Sequence, residues 1–130
     1  MTYILGIDTS AYTTSIALID EKTGKILADE RKVLEVKEGQ KGLRQQEAVF
    51  QHLKNLPELY SSIKEDLSKI HVVSVSSRPR NVEGSYMPVF MVGRNFGRVI
   101  SHTLKREFIV YSHQENHIGA SLIDNYKNID

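Results

Sequence analysis

Apolar positions fall in two rhythms along this chain. Ile4, Leu5 and Ile7 make a near-continuous apolar run around Gly6, the pattern of a strand buried on both faces. The run stops at Asp8-Thr9-Ser10. Thr13-Thr14-Ser15 then leads into Ile16-Ala17-Leu18-Ile19, a second apolar strand. The pair predicts a central hairpin whose tip presents a carboxylate and hydroxyls at a strand end, where ligand sites of open α/β sheets lie. Glu21-Lys22-Thr23-Gly24-Lys25 reads as a turn with Gly24 at a left-handed position. A third strand, Ile26 to Val36, ends in the alternation Leu34/Val36 and completes a meander.

The rhythm then lengthens. Beyond the polar, loop-like stretch Glu38–Gly42, the residues Val49, Leu53, Leu56, Leu59, Ile63 and Leu67 recur at three- and four-residue steps. They predict one amphipathic helix, kinked or restarted at Pro57. Ile70–Ser77 predicts a β-branched strand, broken by Arg78-Pro79-Arg80-Asn81. Met87–Lys105 predicts a second helix with Phe90, Val92, Phe96, Val99, Ile100 and Leu104 as its apolar members. Gly93 and Gly97 lie four apart on it and predict close packing on the sheet. Phe108–Tyr111 predicts a fifth strand, and His113 to about Asn125 a third helix with Ile118, Leu122 and Ile123 inward. The order β-β-β-α-β-α-β-α describes an α/β fold with a mixed five-stranded sheet and flanking helices. It is also the order of the ribonuclease-H-like lobe of the actin, sugar kinase and Hsp70 superfamily.

Composition changes this picture little. The length of 130 residues suits one domain, spanning 1–130, and 40% apolar with 25% charged residues is ordinary for a soluble protein. The net charge of +1 gives no overall bias toward polyanions and leaves room only for a local basic patch. The absence of cysteine excludes disulfides and thiolate metal sites. No secretory leader pattern precedes the first strand, and no apolar run approaches the roughly 18–20 residues of a membrane span. The expected location is the cytoplasm, without membrane association.

Candidate chemistry gathers at three places. His113 and His117 stand at i and i+4, one helix face, where two imidazoles can ligate one divalent metal; the alternative is a pair of exposed or capping histidines. Gln114 stands where a zinc protease carries its general base, and Glu115 points away from the shared face. Asp8, with Thr9 and Ser10 beside it, can hold a metal, a water or a ribose hydroxyl, or simply cap a turn. Arg78 and Arg80 around Pro79 can grip a phosphate or carboxylate, or form a solvated surface pair. His52 and His71, in or beside packed elements, read as structural. Lys41 and Arg44 are too sparse for a nucleic-acid patch. No Walker-type glycine loop, no nucleophile elbow and no cysteine nucleophile is present.

Taken together, Ile4-Leu5-Gly6-Ile7-Asp8-Thr9-Ser10, His52 in the first helix, the strand–Pro79 loop and His113-Gln114-Glu115-Asn116-His117-Ile118-Gly119-Ala120 resemble the N-terminal lobe of the TsaD family. That family was formerly called glycoprotease or O-sialoglycoprotein endopeptidase. The Gly6–Ser10 start is shared with the TsaB paralogue, which lacks the histidine pair. The resemblance implies one of two actin-like lobes, with a divalent metal, zinc or iron, between them on His113 and His117. It implies an adenine nucleotide site built mostly by the second lobe, and transfer of threonylcarbamoyl from its adenylate to an adenosine amine beside the tRNA anticodon.

The chain departs from the family where Ala11-Tyr12-Thr13-Thr14 replaces Cys-Asp-Glu-Thr. It departs again where Lys41–Gln46 lacks a Pro-Glu, and where Arg78-Pro79-Arg80 replaces Gly-Pro-Gly. The expectation is a divergent N-terminal lobe, a fragment of a longer protein whose second lobe is absent, inactive alone. A protease reading fits least, since no general base accompanies the histidines. The alternative is a non-catalytic TsaB-like module that pairs with a paralogue or with itself through the Met87–Lys105 helix.

Overall fold

The meander forms first along the chain: β1 (Tyr3–Asp8), β2 (Thr13–Asp20) and β3 (Ile26–Val33) pair antiparallel. Helix α1 (Gln45–Ser61), a short 3-10 turn (Leu67–Lys69), β4 (Ile70–Ser76), α2 (Met87–Leu104) and β5 (Glu107–Tyr111) follow. The sheet order is β3-β2-β1-β4-β5, with β4 parallel to β1 and β5 parallel to β4. The computed structural model describes residues 1–10, 12–36, 45–76 and 87–111. The expected helix over 113–125 lies outside them, as do Arg78, Arg80, Lys41, Arg44, His113 and His117.

Strand alternation gives the sheet a dry face. Leu5 stands between Leu18 and Val73, and Ile7 between Ile16 and Val75, all buried. Both helices pack on this face, with Leu56 of α1 and Val92 and Ile100 of α2 joining the same core. Tyr60 of α1 meets Phe96 of α2 edge to face, ring centroids 5.6 Å apart. The glycines of α2 do what their spacing predicts. A Cβ on Gly97 would lie 2.5 Å from Val75 Cγ1 and 3.2 Å from Val73 Cγ1. One on Gly93 would lie 2.9 Å from Thr9 Oγ1.

The turn after β2 is as expected. Gly24 has φ 72°, its amide donates to the Asp20 carbonyl at 2.8 Å, and the Asp20 carboxylate accepts from the Lys22 and Thr23 amides. Other elements differ in extent. β3 stops at Val33 rather than Val36, because β2 begins at Thr13 and offers only one further bond, from the Leu34 amide to the Tyr12 carbonyl at 2.8 Å. Helix α1 ends at Ser61, so Ile63 and Leu67 are not on it. Hydroxyls of Ser61 and Ser62 donate back to the carbonyls of Glu58 and Leu59 and close the last turn. Pro57 neither restarts nor ends the helix; it lies on the exposed side with Leu53.

The inward stripe of α1 is only partly the apolar one read from the sequence: Leu56 is in the core and Val49 and Leu59 pack against it, with polar residues beside them. Ala48, His52, Asn55 and Leu56 are buried, while Leu53 is 56% exposed; on α2, Val99 is 66% exposed. His71 is also not packed: it is a surface residue on β4 whose Nδ1 lies 2.9 Å from Glu21 Oε2.

Helix α2 closes with two bonds. The Lys105 amide donates to His102 and the Arg106 amide to Ser101, at 3.2 and 2.8 Å. This is the double-bonded Schellman close, which needs a left-handed residue and usually takes glycine there. Here that residue is Lys105, φ 56°.

Candidate functional site

Parallel pairing brings the C-terminal ends of β1 and β4 side by side. Alternation places Asp8 on the sheet face opposite the two helices, with Gly6 and Ile4, and Ser76 on the same face of β4. Asp8 Oδ1 accepts from the Ser10 amide at 2.7 Å, from the Ser10 hydroxyl, and from the buried Ser76 hydroxyl at 2.8 Å. The local turn is an Asx turn. The bond to Ser76 adds a tertiary brace that a mere turn cap would not need. The outcome is a half-buried carboxylate whose orientation is fixed by two strands, the form a positioned acceptor takes.

Of the three oxygen-bearing residues read from the hairpin tip, Asp8 and Ser10 share this site and Thr9 does not. Thr9 is buried and turned toward α2. Its hydroxyl donates to the Val89 carbonyl at 2.7 Å and accepts from the Gly93 amide at 3.2 Å. Those two backbone groups are one turn apart, so a single side chain clamps the start of α2 to the end of β1.

Sequence reasoning missed Ser76, which is polar at a buried position of the last β4 residue. It also missed a polar network under β2. Thr14 Oγ1 lies 2.7 Å from His52 Nδ1 and accepts from Asn55 Nδ2 at 3.2 Å, all three residues buried. Polar side chains at i and i+3 of α1 opposite a strand threonine were the signal. The network bonds one helix to one strand, and His52 is thus structural as expected.

Two grooves flank α2 among the described residues, and neither includes Asp8, Ser10 or Ser76. One, of about 540 Å³, runs between α1 and α2 over Val49, Leu53, Met91 and Val99. The other, of about 880 Å³, lies between α2 and β5 and is lined by Arg94, Arg98, His102, Lys105 and Arg106. No group of three His, Asp or Glu side chains that could hold a metal occurs among the described residues. No helix described is long and apolar enough to cross a membrane.

No protein-family profile matches the chain. The tRNA N6-adenosine threonylcarbamoyltransferase of Thermotoga neapolitana is 30% identical over 122 residues, which is 94% of this chain and 36% of that protein. The Rickettsia canadensis protein of the same name is 31% identical over 137 aligned residues, 96% of this chain and 36% of its own length. The chain thus spans about a third of the length of the curated relatives it matches. Among solved structures, YeaZ from Pseudomonas aeruginosa superposes with a TM-score of 0.55 at 19% identity, over 86% of this chain and 44% of that one. RuvC from T. thermophilus, solved with a Holliday junction substrate, gives 0.54 at 11% identity, over 86% of this chain and 65% of that one. At such identities the structures bear on the fold alone, which is that of a ribonuclease-H-like lobe.

Proposed function

Because this chain is a divergent relative of the tRNA N6-adenosine threonylcarbamoyltransferases, we propose that it is a tRNA-modification lobe that supplies one wall of a threonylcarbamoyl-transfer site. The observation that carries this is the spread of the identity: it runs over 94% of the chain and is not confined to one motif. In this reading Asp8, braced by Ser10 and Ser76, is the positioned acceptor of the wall. Arg78 and Arg80 follow β4 in the chain and supply charge for a phosphate. His113 and His117 are two ligands of a divalent ion, an incomplete set that a further oxygen or nitrogen ligand completes. Bound there, the ion would act as a Lewis acid toward an acyl or phosphoryl oxygen. The adenine nucleotide site and the remaining ligand belong to a second lobe, and the protein works in the cytoplasm where tRNA is.

The test is a chimera in which this chain replaces the matching third of the Thermotoga neapolitana protein, in cells lacking their own enzyme. Threonylcarbamoyladenosine in total tRNA, read by mass spectrometry, is expected to return with the chimera and not with the chain alone. Asp8→Ala in the chimera is expected to abolish it. A folded chimera that makes no modified tRNA overturns the reading.

A second reading is favoured by one observation: Leu53 and Val99, both lining the groove between α1 and α2, are exposed. Here the chain is a non-catalytic interaction module, and that two-helix face packs on a second copy of itself.

A further inference from the structure

The groove between α2 and β5 collects positive charge that the whole chain does not have. Arg94, Arg98 and His102 recur at four-residue steps along one stripe of α2, and Lys105 and Arg106 continue it beyond the helix end. Among the described residues no carboxylate lines the groove, although the chain's net charge is only +1. Among the described residues the ion pairs are Arg31–Asp29, Lys32–Glu58 and His71–Glu21, so none of the four formal cations of the groove is neutralised by one.

Helix electrostatics explain part of the stripe only. The negative end of a helix favours cations within its last turn, which accounts for His102, Lys105 and Arg106. Arg94 and Arg98 stand further in, where that field has faded. Lys105 carries a second signal. It occupies the left-handed closing position of α2, φ 56°, where glycine fits without strain and lysine does not. The sequence keeps a cation at the groove at the expense of helix closure.

We propose that this groove docks the phosphate backbone of RNA. The choice of RNA among polyanions rests on the tRNA-modification reading above. Three of the four formal cations are arginines, whose planar forks pair with phosphate oxygens. The surface is a concave trough floored by Phe108 and Val110, which suits a strand better than a flat bilayer. It lies on the helix-covered face of the sheet, away from Asp8, so it holds the RNA and does no chemistry.

The experiment is fluorescence anisotropy of a short labelled single-stranded RNA with the full chain, across a salt series. Wild type is compared with Arg94→Glu/Arg98→Glu, with Lys105→Gly and with the control Lys25→Glu at the far edge of the sheet. The double variant is expected to bind about tenfold or more weaker, with the slope of log K against log salt reduced by about two. Lys105→Gly is expected to bind more weakly while melting at a higher temperature, a combination that misfolding cannot produce. Lys25→Glu is expected to bind as wild type does.

Equal affinity and slope in wild type and the double variant overturn the proposal, as does a wild type that binds no RNA. So does tighter binding to phosphatidylserine–phosphatidylcholine vesicles that the double variant loses, which would make the groove a membrane contact. The chimera scores modification in a separate readout. A working chimera with no groove-dependent RNA binding sinks this proposal and leaves the functional reading intact.

Discussion

Thr9 shows how much one hydroxyl can hold. Its place at the hairpin tip predicts a ligand-facing residue, while in the structure its hydroxyl donates to the Val89 carbonyl and accepts from the Gly93 amide. Thr9→Val keeps the shape and removes both bonds at a buried site. The expected loss is roughly 1–3 kcal/mol of unfolding free energy, measured by urea titration, with the fold unchanged. Asp8 and Ser10 were legible because a carboxylate and a hydroxyl follow an apolar run directly. Ser76 was not, because a parallel pairing joins residues far apart in the chain and no local pattern states its register. The His52–Thr14–Asn55 network is half legible: a histidine within the helical pattern points to a packed residue, but its strand partner sits across a loop.

At the scale of elements, periodicity located every strand and both α-helices among the described residues, and their ends were set by partners the sequence does not show. β3 ends where β2 begins, and α1 ends where serine hydroxyls take its carbonyls. Helix faces were less legible, since Leu53 and Val99 fit the inward spacing yet lie outside. Gly97 states the tightness of the helix–sheet layer. Alanine there would gain about 1 kcal/mol of helix propensity. Its Cβ meets two β-branched side chains that cannot swing aside. Gly97→Ala is therefore expected to destabilise by about 1–3 kcal/mol in chemical denaturation.

The 3-10 turn before β4 makes a pH prediction. The Ser68 hydroxyl and amide donate to the Asp66 carboxylate and hold its pKa below the ordinary 3.8. A depressed carboxylate pKa adds stability above the unfolded value, lost as pH falls through the folded one. Asp66→Asn, which keeps a cap without a charge, is expected to flatten the decline in melting temperature below about pH 4. An unchanged acid slope would show that this carboxylate contributes nothing.

For the molecule as a whole, the exposed apolar face of α1 and α2 makes self-association the expected behaviour. A two-fold axis through that face would set both helices against their own copies, burying Leu53 and Val99 together. Leu53→Glu is expected to return the protein to a monomer in sedimentation equilibrium at concentrations where the wild type dimerises. A wild type that stays monomeric at high concentration would remove this interface. The central place of β1 also bears on how the protein is made. Of the five strands of this sheet, the first in the chain is the middle one. Its β2 side is satisfied within a few residues, but its other edge waits for β4, whose first residue is Ile70. Throughout that interval Ile4, Leu5 and Ile7 present open backbone hydrogen-bonding groups beside apolar side chains, the combination that recruits neighbouring chains. A nascent chain halted before Ile70 is thus expected to aggregate more readily than one in which β4 has paired with β1.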